Sequence, residues 1–346
     1  MTWELKRLEP ATFDAVTAEL GGAHVFQSAG WARVRERSGW RPHFLGVAGD
    51  DGFHAALLCL EKRRYGLSVV QLPRGPVLRP GAGRPQALES ALQGIRALAR
   101  ERLAAYVKIT PDLGAAESWA GLVLSSAGAR PSPSPSVHVA TLRIDLTAPE
   151  AQLLARMESR TRYAIRKAQE AGVEVLRGRE AGLLEEFEAL YRETCRRVGI
   201  PGVPARTVAD MVSEGLARIY LARHQGVATS GALILCHGRW AWYLLGGSRR
   251  GVKHTGAELL HWTAMRDLRA EGAQVYDLQG IPPAPDKEDP AYGVYLFKRG
   301  FGGTRFDLLG EFDLGSPRFV AGLGARAMST LSAVRASSWR PWTPRS

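Results

Sequence analysis

The chain has 346 residues, of which 45% are hydrophobic and 23% are charged, and this balance is typical of a globular protein. The length favours two domains, and no apolar run approaches the ~18 residues of a membrane-spanning helix. The formal net charge of +12 favours polyanionic partners such as nucleic acid, nucleotide-linked compounds or an anionic membrane surface. The three cysteines and eight histidines lack metal-ligand spacing, so no metal site is predicted.

The first part of the chain predicts a helix followed by a β-hairpin. Residues 26–37 have the pattern of a helix start, with Ser28 as the N-cap and Arg35 on the helix. The segments 43–48 and 55–62 are predicted strands, and the Gly-Asp-Asp-Gly sequence between them is typical of a hairpin turn.

A rigid turn and a carboxylate at a strand end follow. Two prolines bracket the Arg74-Gly75 step, which predicts a fixed turn that holds Arg74 in place. A helix predicted over 84–103 leads to a strand that ends at Asp112. A carboxylate at a strand end serves acid–base chemistry in some proteins and is an ordinary turn residue in others, so both interpretations stay open.

The most basic stretch is a helix predicted over 150–171. Helical spacing places four of its side chains in one stripe and two more cations beside it: Arg156, Arg160, Tyr163 and Lys167 in the stripe, with Arg162 and Arg166 alongside. Cations around an aromatic residue fit a nucleic-acid backbone, and the alternative is a solvated helix face.

The pattern of the second half of the chain predicts an antiparallel sheet. The same half contains a notable lysine in an otherwise arginine-rich sequence. Strands are predicted over 217–222, 231–236 and 240–245, and a further buried strand carries Asp277 into a loop. The chain has seven lysines and 39 arginines, so Lys298, within residues 292–303, is unusual. A retained lysine indicates that a compact point charge is needed there, and the alternative is a solvated lysine at a strand end before a glycine turn.

Six short segments, in this order, resemble the Fem family of peptidoglycan-bridge aminoacyltransferases: Phe26-Gln27-Ser28 with Trp31, residues 73–77, residues 160–168, residues 256–262, residues 276–281 and Phe297-Lys298. The resemblance covers about residues 24 to 315. It implies an α/β (α+β) fold of two tandem acetyltransferase-like (GNAT-like) domains with mixed, mostly antiparallel sheets flanked by helices and no coiled-coil arm. The expected domains are 1–146 and 147–315, with a basic tail over 316–346.

The resemblance also implies an activity. An amino acid, Gly, Ala or Ser, would pass from aminoacyl-tRNA to the side-chain amine of the peptidoglycan stem peptide, on lipid II or UDP-MurNAc-pentapeptide. Aminoacyl-tRNA would be the co-substrate, and no other cofactor is expected. Because the N-terminus lacks an apolar signal core, we expect a cytoplasmic protein. The basic tail is consistent with peripheral contact with the anionic inner face of the plasma membrane, and the alternative is a solvated terminus.

The site residues expected from these segments fall into three groups. Lys298, positioned by Phe297, is the candidate for stabilising charge on the tetrahedral oxygen or for holding the terminal phosphates of the tRNA. Asp112 and Asp313 are competing candidates for accepting the proton. The precursor is expected to contact Arg35, Arg74, Arg206 and Tyr243, and the tRNA to contact Arg156, Arg160, Arg162, Arg166 and Lys167.

Two other functions remain open at the level of sequence. The first is an acyl-CoA-dependent N-acyltransferase of the same fold. Acyl-CoA enzymes carry a glycine-rich phosphate loop before a helix, and here Lys253–Glu258 departs from it, with Glu258 where a small residue belongs. The second is a non-catalytic module that binds tRNA or a membrane surface.

Overall fold

The computed structural model describes residues 3–64, 67–133, 135–289 and 291–315. The elements of the first part are β1 (Glu4–Arg7), α1 (Pro10–Glu19), α2 (Ala29–Arg37), β2 (Arg41–Gly49), β3 (Gly52–Arg64), β4 (Leu67–Pro73), β5 (Val77–Leu78), α3 (Arg84–Glu101), β6 (Ala104–Thr110), α4 (Ser118–Ser126) and β7 (Arg130–Pro131). They are followed by β8 (Ala140–Asp145), α5 (Glu150–Arg156), α6 (Ser159–Glu170), β9 (Glu174–Gly178), α7 (Ala181–Val198), α8 (Ala205–Ser213), β10 (Ala217–His224), β11 (Val227–His237), β12 (Trp240–Ser248), α9 (Ala257–Ala270), β13 (Val275–Gly280), α10 (Tyr292–Arg299), β14 (Thr304–Asp307) and β15 (Phe312–Gly315).

The chain divides into two compact units, each built on one mixed sheet. The sheet of the first unit has the order β1-β2-β3-β4-β6-β15-β7, with β5 also paired to β3. The sheet of the second unit has the order β14-β8-β13-β12-β11-β10-β9. In each sheet an antiparallel run is followed by a helix and a parallel strand, β6 beside β4 and β13 beside β12. Each sheet packs with its own helices around its own hydrophobic core.

The two parallel strand pairs differ in how far they stay together. In the first unit β4 and β6 pair from Ser68 to Pro73. In the described part of the second unit β12 and β13 pair only from Trp240 to Trp242, although β12 continues to Ser248 and β13 to Gly280. The two strands therefore diverge into a fork beyond Trp242, and this fork leaves room for side chains from other elements.

The boundaries of the two units differ from the predicted 1–146 and 147–315. The first unit runs to Val139 and resumes at Asp307, so the second unit is inserted into it. Strand β8 pairs with β13, while β15 lies between β6 and β7. Strand pairing, which a local pattern cannot reveal, therefore sets the boundaries. The basic tail predicted over 316–346 lies outside the described residues.

The long basic helix predicted over 150–171 is two helices. Met157 has an extended backbone and separates α5 from α6. The Glu158 N–H donates to the Gly300 carbonyl oxygen at 2.9 Å, so a contact with the chain after α10 stabilises the break. Arg156 therefore ends α5, and the predicted stripe is interrupted after it.

Candidate active site

Lys298 lies in the last turn of α10 and reaches the fork between β12 and β13. Its side chain is buried, with the residue 7% exposed. Its Nζ donates to the carbonyl oxygen of Gly280, the last residue of β13, at 2.7 Å. The same Nζ lies 5.8 Å from the ring centroid of Tyr243, the first residue of β12 beyond the paired segment. The Nζ ammonium has three N–H donors, and the hydrogen bond to Gly280 uses one of them.

Burial changes the acid–base behaviour of Lys298. Desolvation lowers its pKa to about 8, and the charge of Asp277 partly opposes this shift. No carboxylate in the described residues forms a salt bridge with Nζ. The lysine is therefore a buried, weakly compensated cation that titrates close to neutral pH. Such a group, held at a strand end, is suited to act on an anionic ligand or a developing negative charge.

Asp277 stabilises the end of β13 that Lys298 contacts. Its carboxylate accepts hydrogen bonds from the Thr141 hydroxyl, from Arg143 Nε at 3.1 Å and from the Gln279 N–H at 2.7 Å. Gln279 has a φ of 61°, in the left-handed region that non-glycine residues rarely adopt. These contacts agree with an orienting role for Asp277, because they fix the turn that presents the Gly280 carbonyl.

A β-bulge in β12 lies next to Tyr243. Leu233 of β11 pairs with Leu245 and the next residue, Ile234, pairs with Tyr243, so β12 carries one extra residue at this point. Gly246 has no side chain, and a Cβ there would overlap the Tyr243 hydroxyl. Burial raises the pKa of Tyr243 to about 12, so the phenol stays neutral.

His261 of α9 joins the elements around Lys298. Its Nδ1 lies 2.9 Å from the Tyr276 hydroxyl of β13, and its ring centroid lies 4.4 Å from that of Tyr243 and 5.5 Å from that of Phe297. Burial, together with the charge of Lys298, lowers the pKa of His261 to about 3. The imidazole is therefore neutral and serves as a packing and hydrogen-bonding residue. The sequence motif covered His261 without indicating this role.

The first unit holds a second notable cation, Arg35 of α2. Its guanidinium lies 5.5 Å from the Trp31 ring centroid and 4.8 Å from the Trp40 ring centroid, and the residue is 6% exposed. Burial lowers its pKa to about 10. Within the described residues neither Arg35 Nε nor the neighbouring Trp31 Nε1 has a hydrogen-bond partner. Two buried donors without acceptors indicate a place for an anionic ligand. Trp40, which begins no recognisable motif, was missed by sequence reasoning.

Arg74 and Asp112 lie together in the first unit, and Arg74 lies in a turn as predicted. Arg74 has a φ of 55°, its N–H donates to Thr110 Oγ1 at 3.2 Å, and its Nη1 lies 3.9 Å from Asp112 Oδ1. The side-chain amide of Gln27 supports this turn by donating to the Pro73 carbonyl oxygen at 2.7 Å. The Arg74 guanidinium is thus held beside one carboxylate at the end of β6.

Asp313, the other candidate proton acceptor, lies in a cluster of paired charges. It accepts from Lys108 Nζ at 3.0 Å and from Ser132 Oγ at 2.9 Å. Lys108 also forms an ion pair with the buried Glu311. These contacts are those of a structural network, and Asp112 remains the other candidate for accepting the proton.

The predicted tRNA contacts lie on α5 and α6, and several of their cations already have partners in the chain. Arg160 and Arg162 donate to the carbonyl oxygens of Leu296 and Met157, respectively. Lys167 forms an ion pair with Glu170 at 2.6 Å. The remaining predicted tRNA contacts are Arg156 at the end of α5 and Arg166 of α6, whose Nε lies 3.8 Å from Glu170. Arg206, predicted to contact the precursor, is exposed in the first turn of α8.

The candidate residues therefore form separate groups in the two units. Lys298, Phe297, Tyr243 and Arg206 lie in the second unit with the basic helices, and Arg35, Arg74, Asp112 and Asp313 lie in the first. In the described ranges, no group of His, Cys, Asp or Glu side chains is arranged to hold a metal ion. None of the helices in these ranges has the length and apolar character needed to cross a membrane.

Comparison with known proteins places these features in a family context. The chain matches the model of the FemAB family over residues 8–125, 135–201 and 213–323. A lipid II:glycine glycyltransferase from Staphylococcus haemolyticus is 35% identical over 95 residues, which are 27% of this chain and 23% of the relative. The Staphylococcus aureus enzyme of the same name is 33% identical over 90 residues, 26% of this chain and 21% of the relative. The aligned stretch is thus about a quarter of these relatives' length.

Solved structures share the fold of most of the chain. The crystal structure of FemX superposes with a TM-score of 0.82 at 19% identity, covering 92% of this chain and 98% of that one. A tandem GNAT protein from the clavulanic acid biosynthesis pathway has a TM-score of 0.56 at 14% identity, covering 91% and 98%. The expected arrangement of two GNAT-like domains is confirmed by this likeness.

Proposed function

The chain belongs to the FemAB family, and from this membership and the geometry around Lys298 we propose that it is a non-ribosomal aminoacyltransferase. The donor is an aminoacyl-tRNA carrying Gly, Ala or Ser. The acceptor is the side-chain amine of the peptidoglycan stem peptide, on lipid II or on UDP-MurNAc-pentapeptide. The curated relatives are named as glycyltransferases acting on lipid II, which supports glycine and lipid II as the first pair to test.

The single observation that carries this proposal is the buried ammonium of Lys298 at the fork. In aminolysis the acceptor amine attacks the ester carbonyl, a C–N bond forms, and the C–O bond to the ribose of the tRNA breaks. Negative charge develops on the former carbonyl oxygen, and a fixed cation in a desolvated site stabilises it. Lys298 is such a cation, because Gly280 anchors its Nζ and burial keeps water away.

The first unit contains the side chains proposed to bind the acceptor and to accept its proton. The buried Arg35 has an unpaired Nε and no acid among its described partners, so it fits the diphosphate that both proposed acceptors carry. Asp112, held 3.9 Å from Arg74, is the candidate to accept the proton that the attacking amine loses. These assignments belong to the proposal, and the Arg35 variant described below tests the first of them.

Acyl-CoA use has less support from the geometry. The loop before α9 ends at Gly256, and Glu258 lies in the first turn of that helix. A helix N-terminus attracts phosphate through its N–H groups and dipole, whereas a carboxylate there repels it. A Cβ at Gly256 would also overlap Val173, so this glycine serves internal packing.

The function is tested by transfer of labelled glycine, alanine or serine from charged tRNA to lipid II and to UDP-MurNAc-pentapeptide. We expect product with at least one donor and acceptor pair, and no product when uncharged tRNA with free amino acid replaces the charged tRNA. Acetyl-CoA with the same acceptors is the parallel arm. Acylation with acetyl-CoA and none with any charged tRNA would overturn the proposal in favour of an acyl-CoA enzyme.

The proposed role of Lys298 predicts a specific pH dependence. Because its pKa is lowered to about 8, the ammonium is lost as the pH rises through that value, and kcat/KM expressed per deprotonated acceptor amine should fall with it. Spontaneous ester hydrolysis is subtracted using enzyme-free samples. A kcat/KM that stays constant up to about pH 10, near the ordinary lysine pKa, after this normalisation would contradict the need for the charged form.

A further inference from the structure

A pocket of about 260 Å³ lies in the first unit, where strands β2 and β3 meet the C-terminal end of α3. We call it the β2–α3 pocket and define it by its lining residues: Gly39, Arg41, Glu61, Arg63, Glu101 and Arg102. Three of these residues are arginines, and none has an apolar side chain. Such a lining is suited to a small charged ligand, because an apolar ligand needs hydrophobic or aromatic walls.

The β2–α3 pocket lies on the opposite face of the sheet from Arg35. Arg41 pairs with Glu61 across the two strands, so these two side chains share one face. Lys62 follows Glu61 and points to the other face, where its Nζ lies 5.3 Å from the Trp40 ring centroid. Arg35 packs against that same Trp40 ring. The pocket is therefore separate from the site proposed for the diphosphate of the acceptor.

The inner wall of the pocket contains a buried carboxylate that already has partners. Glu61 is 5% exposed, lies 2.9 Å from His43 Nε2 and accepts from the Ser68 hydroxyl at 3.0 Å. Burial acts to raise the pKa of Glu61, but these hydrogen bonds lower it overall. Burial also lowers the pKa of His43, so its imidazole is neutral at neutral pH. Glu61 is thus ionised, and both of its hydrogen bonds come from residues other than the arginines of the pocket.

The arginines of the pocket have donors that the protein does not use. Arg102 Nε lies 3.8 Å from Glu61 Oε2, beyond hydrogen-bond distance, and this buried nitrogen has no hydrogen-bond partner among the described residues. In the same ranges, neither Arg41 nor Arg63 forms an ion pair, and both side chains are exposed. A buried donor without an acceptor, beside two unpaired guanidinium groups, indicates a place for an anionic ligand.

The pocket keeps an excess of positive charge when its acids are counted. Glu101 pairs with Arg7 of β1 at 2.5 Å and with Arg102 at 3.3 Å. With Arg7 included, four arginines accompany two carboxylates, which leaves an excess of two positive charges. A phosphate monoester carries about −1.5 to −2 charges at neutral pH, so its charge matches this excess.

We infer that the β2–α3 pocket binds a phosphate group, either free inorganic phosphate or the phosphate of a small monoester. A tetrahedral phosphate accepts hydrogen bonds from several directions, which suits guanidinium groups contributed by β2, β3 and the end of α3: Arg41, Arg63 and Arg102. A carboxylate has only two oxygens in one plane and cannot use all three groups equally well. The inference is independent of the proposed function, because none of these arginines is assigned to the transfer reaction.

The test is isothermal titration calorimetry with inorganic phosphate and with glycerol 3-phosphate in chloride buffer. Malonate, a dianion with planar carboxylates, is the comparison ligand. We expect both phosphate ligands to bind more tightly than malonate. Arg41→Gln and Arg63→Gln should each weaken phosphate binding about 10-fold, because each removes charge-assisted hydrogen bonds. Glu101→Gln should tighten it about 2- to 5-fold, because an exposed carboxylate that competes for Arg102 is removed.

Arg100→Gln is the matched control, because Arg100 is exposed in the last turn of α3 but does not line the pocket. Circular dichroism melting confirms that each variant folds, and Arg102 is kept because its loss would leave the buried Glu61 with one cation fewer.

The outcomes separate the source of the phosphate from the inference itself. Binding of inorganic phosphate alone identifies free phosphate as the ligand, and binding of glycerol 3-phosphate alone identifies a monoester; each supports the inference. Four results would overturn it: no binding of either phosphate ligand at about 10 mM, malonate binding as tight as phosphate, unchanged binding in Arg41→Gln and Arg63→Gln, or an equal loss in Arg100→Gln.

Discussion

Replacing Lys298 by methionine is expected to lower the rate of aminoacyl transfer by about 100- to 1,000-fold, the usual loss when one group that stabilises a developing oxyanion is removed. Methionine keeps much of the buried aliphatic volume but lacks the ammonium that donates to Gly280. The loss should appear in kcat as well as in kcat/KM, because the charge acts mainly in the transition state. Single-turnover transfer from charged tRNA measures it directly.

The Lys298→Arg variant keeps the positive charge of the side chain but changes the shape of its head group. A guanidinium is larger and planar, so it cannot occupy the position of Nζ 2.7 Å from the Gly280 carbonyl without moving its neighbours. We expect a rate close to that of Lys298→Met. The matched control is Lys287→Met, which removes an exposed lysine from the loop before α10. Full activity in Lys298→Met would reject the assigned role and leave the activity itself in place.

The same lysine makes the folded protein more stable at alkaline pH. Its pKa is about 8 in the folded chain and near 10.5 when unfolded, so between these values the unfolded state binds more protons. The free energy of unfolding should therefore gain a favourable contribution as the pH rises from about 8 to 10.5. Wild-type thermal melts should show this gain relative to Lys298→Met, which lacks the titrating group.

Arg35→Met is expected to raise the KM for the diphosphate-bearing acceptor about 10- to 100-fold with little change in kcat. This range corresponds to one charge-assisted hydrogen bond, about 1.5–3 kcal/mol. The side chain lies between Trp31 and Trp40, and an apolar replacement fits between the two rings. The melting temperature should therefore stay the same or rise, because a desolvated charge without an acid partner has been removed.

Arg33→Met, on the exposed face of the same helix, is the control for the loss of one positive charge. Initial rates over a range of acceptor concentrations distinguish the two variants. If Arg33→Met raised the KM as much as Arg35→Met, the effect would come from the general field of the helix and not from a bound phosphate. A fall in kcat without a change in KM would also contradict the assignment.

Much of the local structure follows from the sequence. Ser28 caps α2 by accepting from the Trp31 N–H at 3.1 Å, as its position predicted. The Gly-Asp-Asp-Gly sequence joins β2 to β3, and Arg74 lies in a rigid turn. These features depend on residues close together in the chain, such as a hydroxyl at a helix start or glycines at a turn, so a single sequence contains their causes.

The features that the sequence could not reveal depend on distant partners. No glycine or proline marks the break between α5 and α6, where the Glu158 N–H bonds to Gly300. The eight residues of α10 are too few for periodicity to distinguish a helix from a strand. Trp40 and His261 acquire their roles from residues on other elements: Trp40 lies against Arg35, and His261 contacts Tyr243, Tyr276 and Phe297.

The return of the chain to the first sheet sets an order for folding on the ribosome. Strand β15 fills the gap between β6 and β7, and β6 pairs with it at Ile109 opposite Phe312. Until that last strand has been synthesised, the buried ammonium of Lys108 lacks both Glu311 and Asp313. The inserted second unit, whose elements are contiguous in sequence, can fold first, and the N-terminal unit is completed last. A nascent chain stopped before residue 307 should therefore protect its second half from protease while its first half remains cleavable.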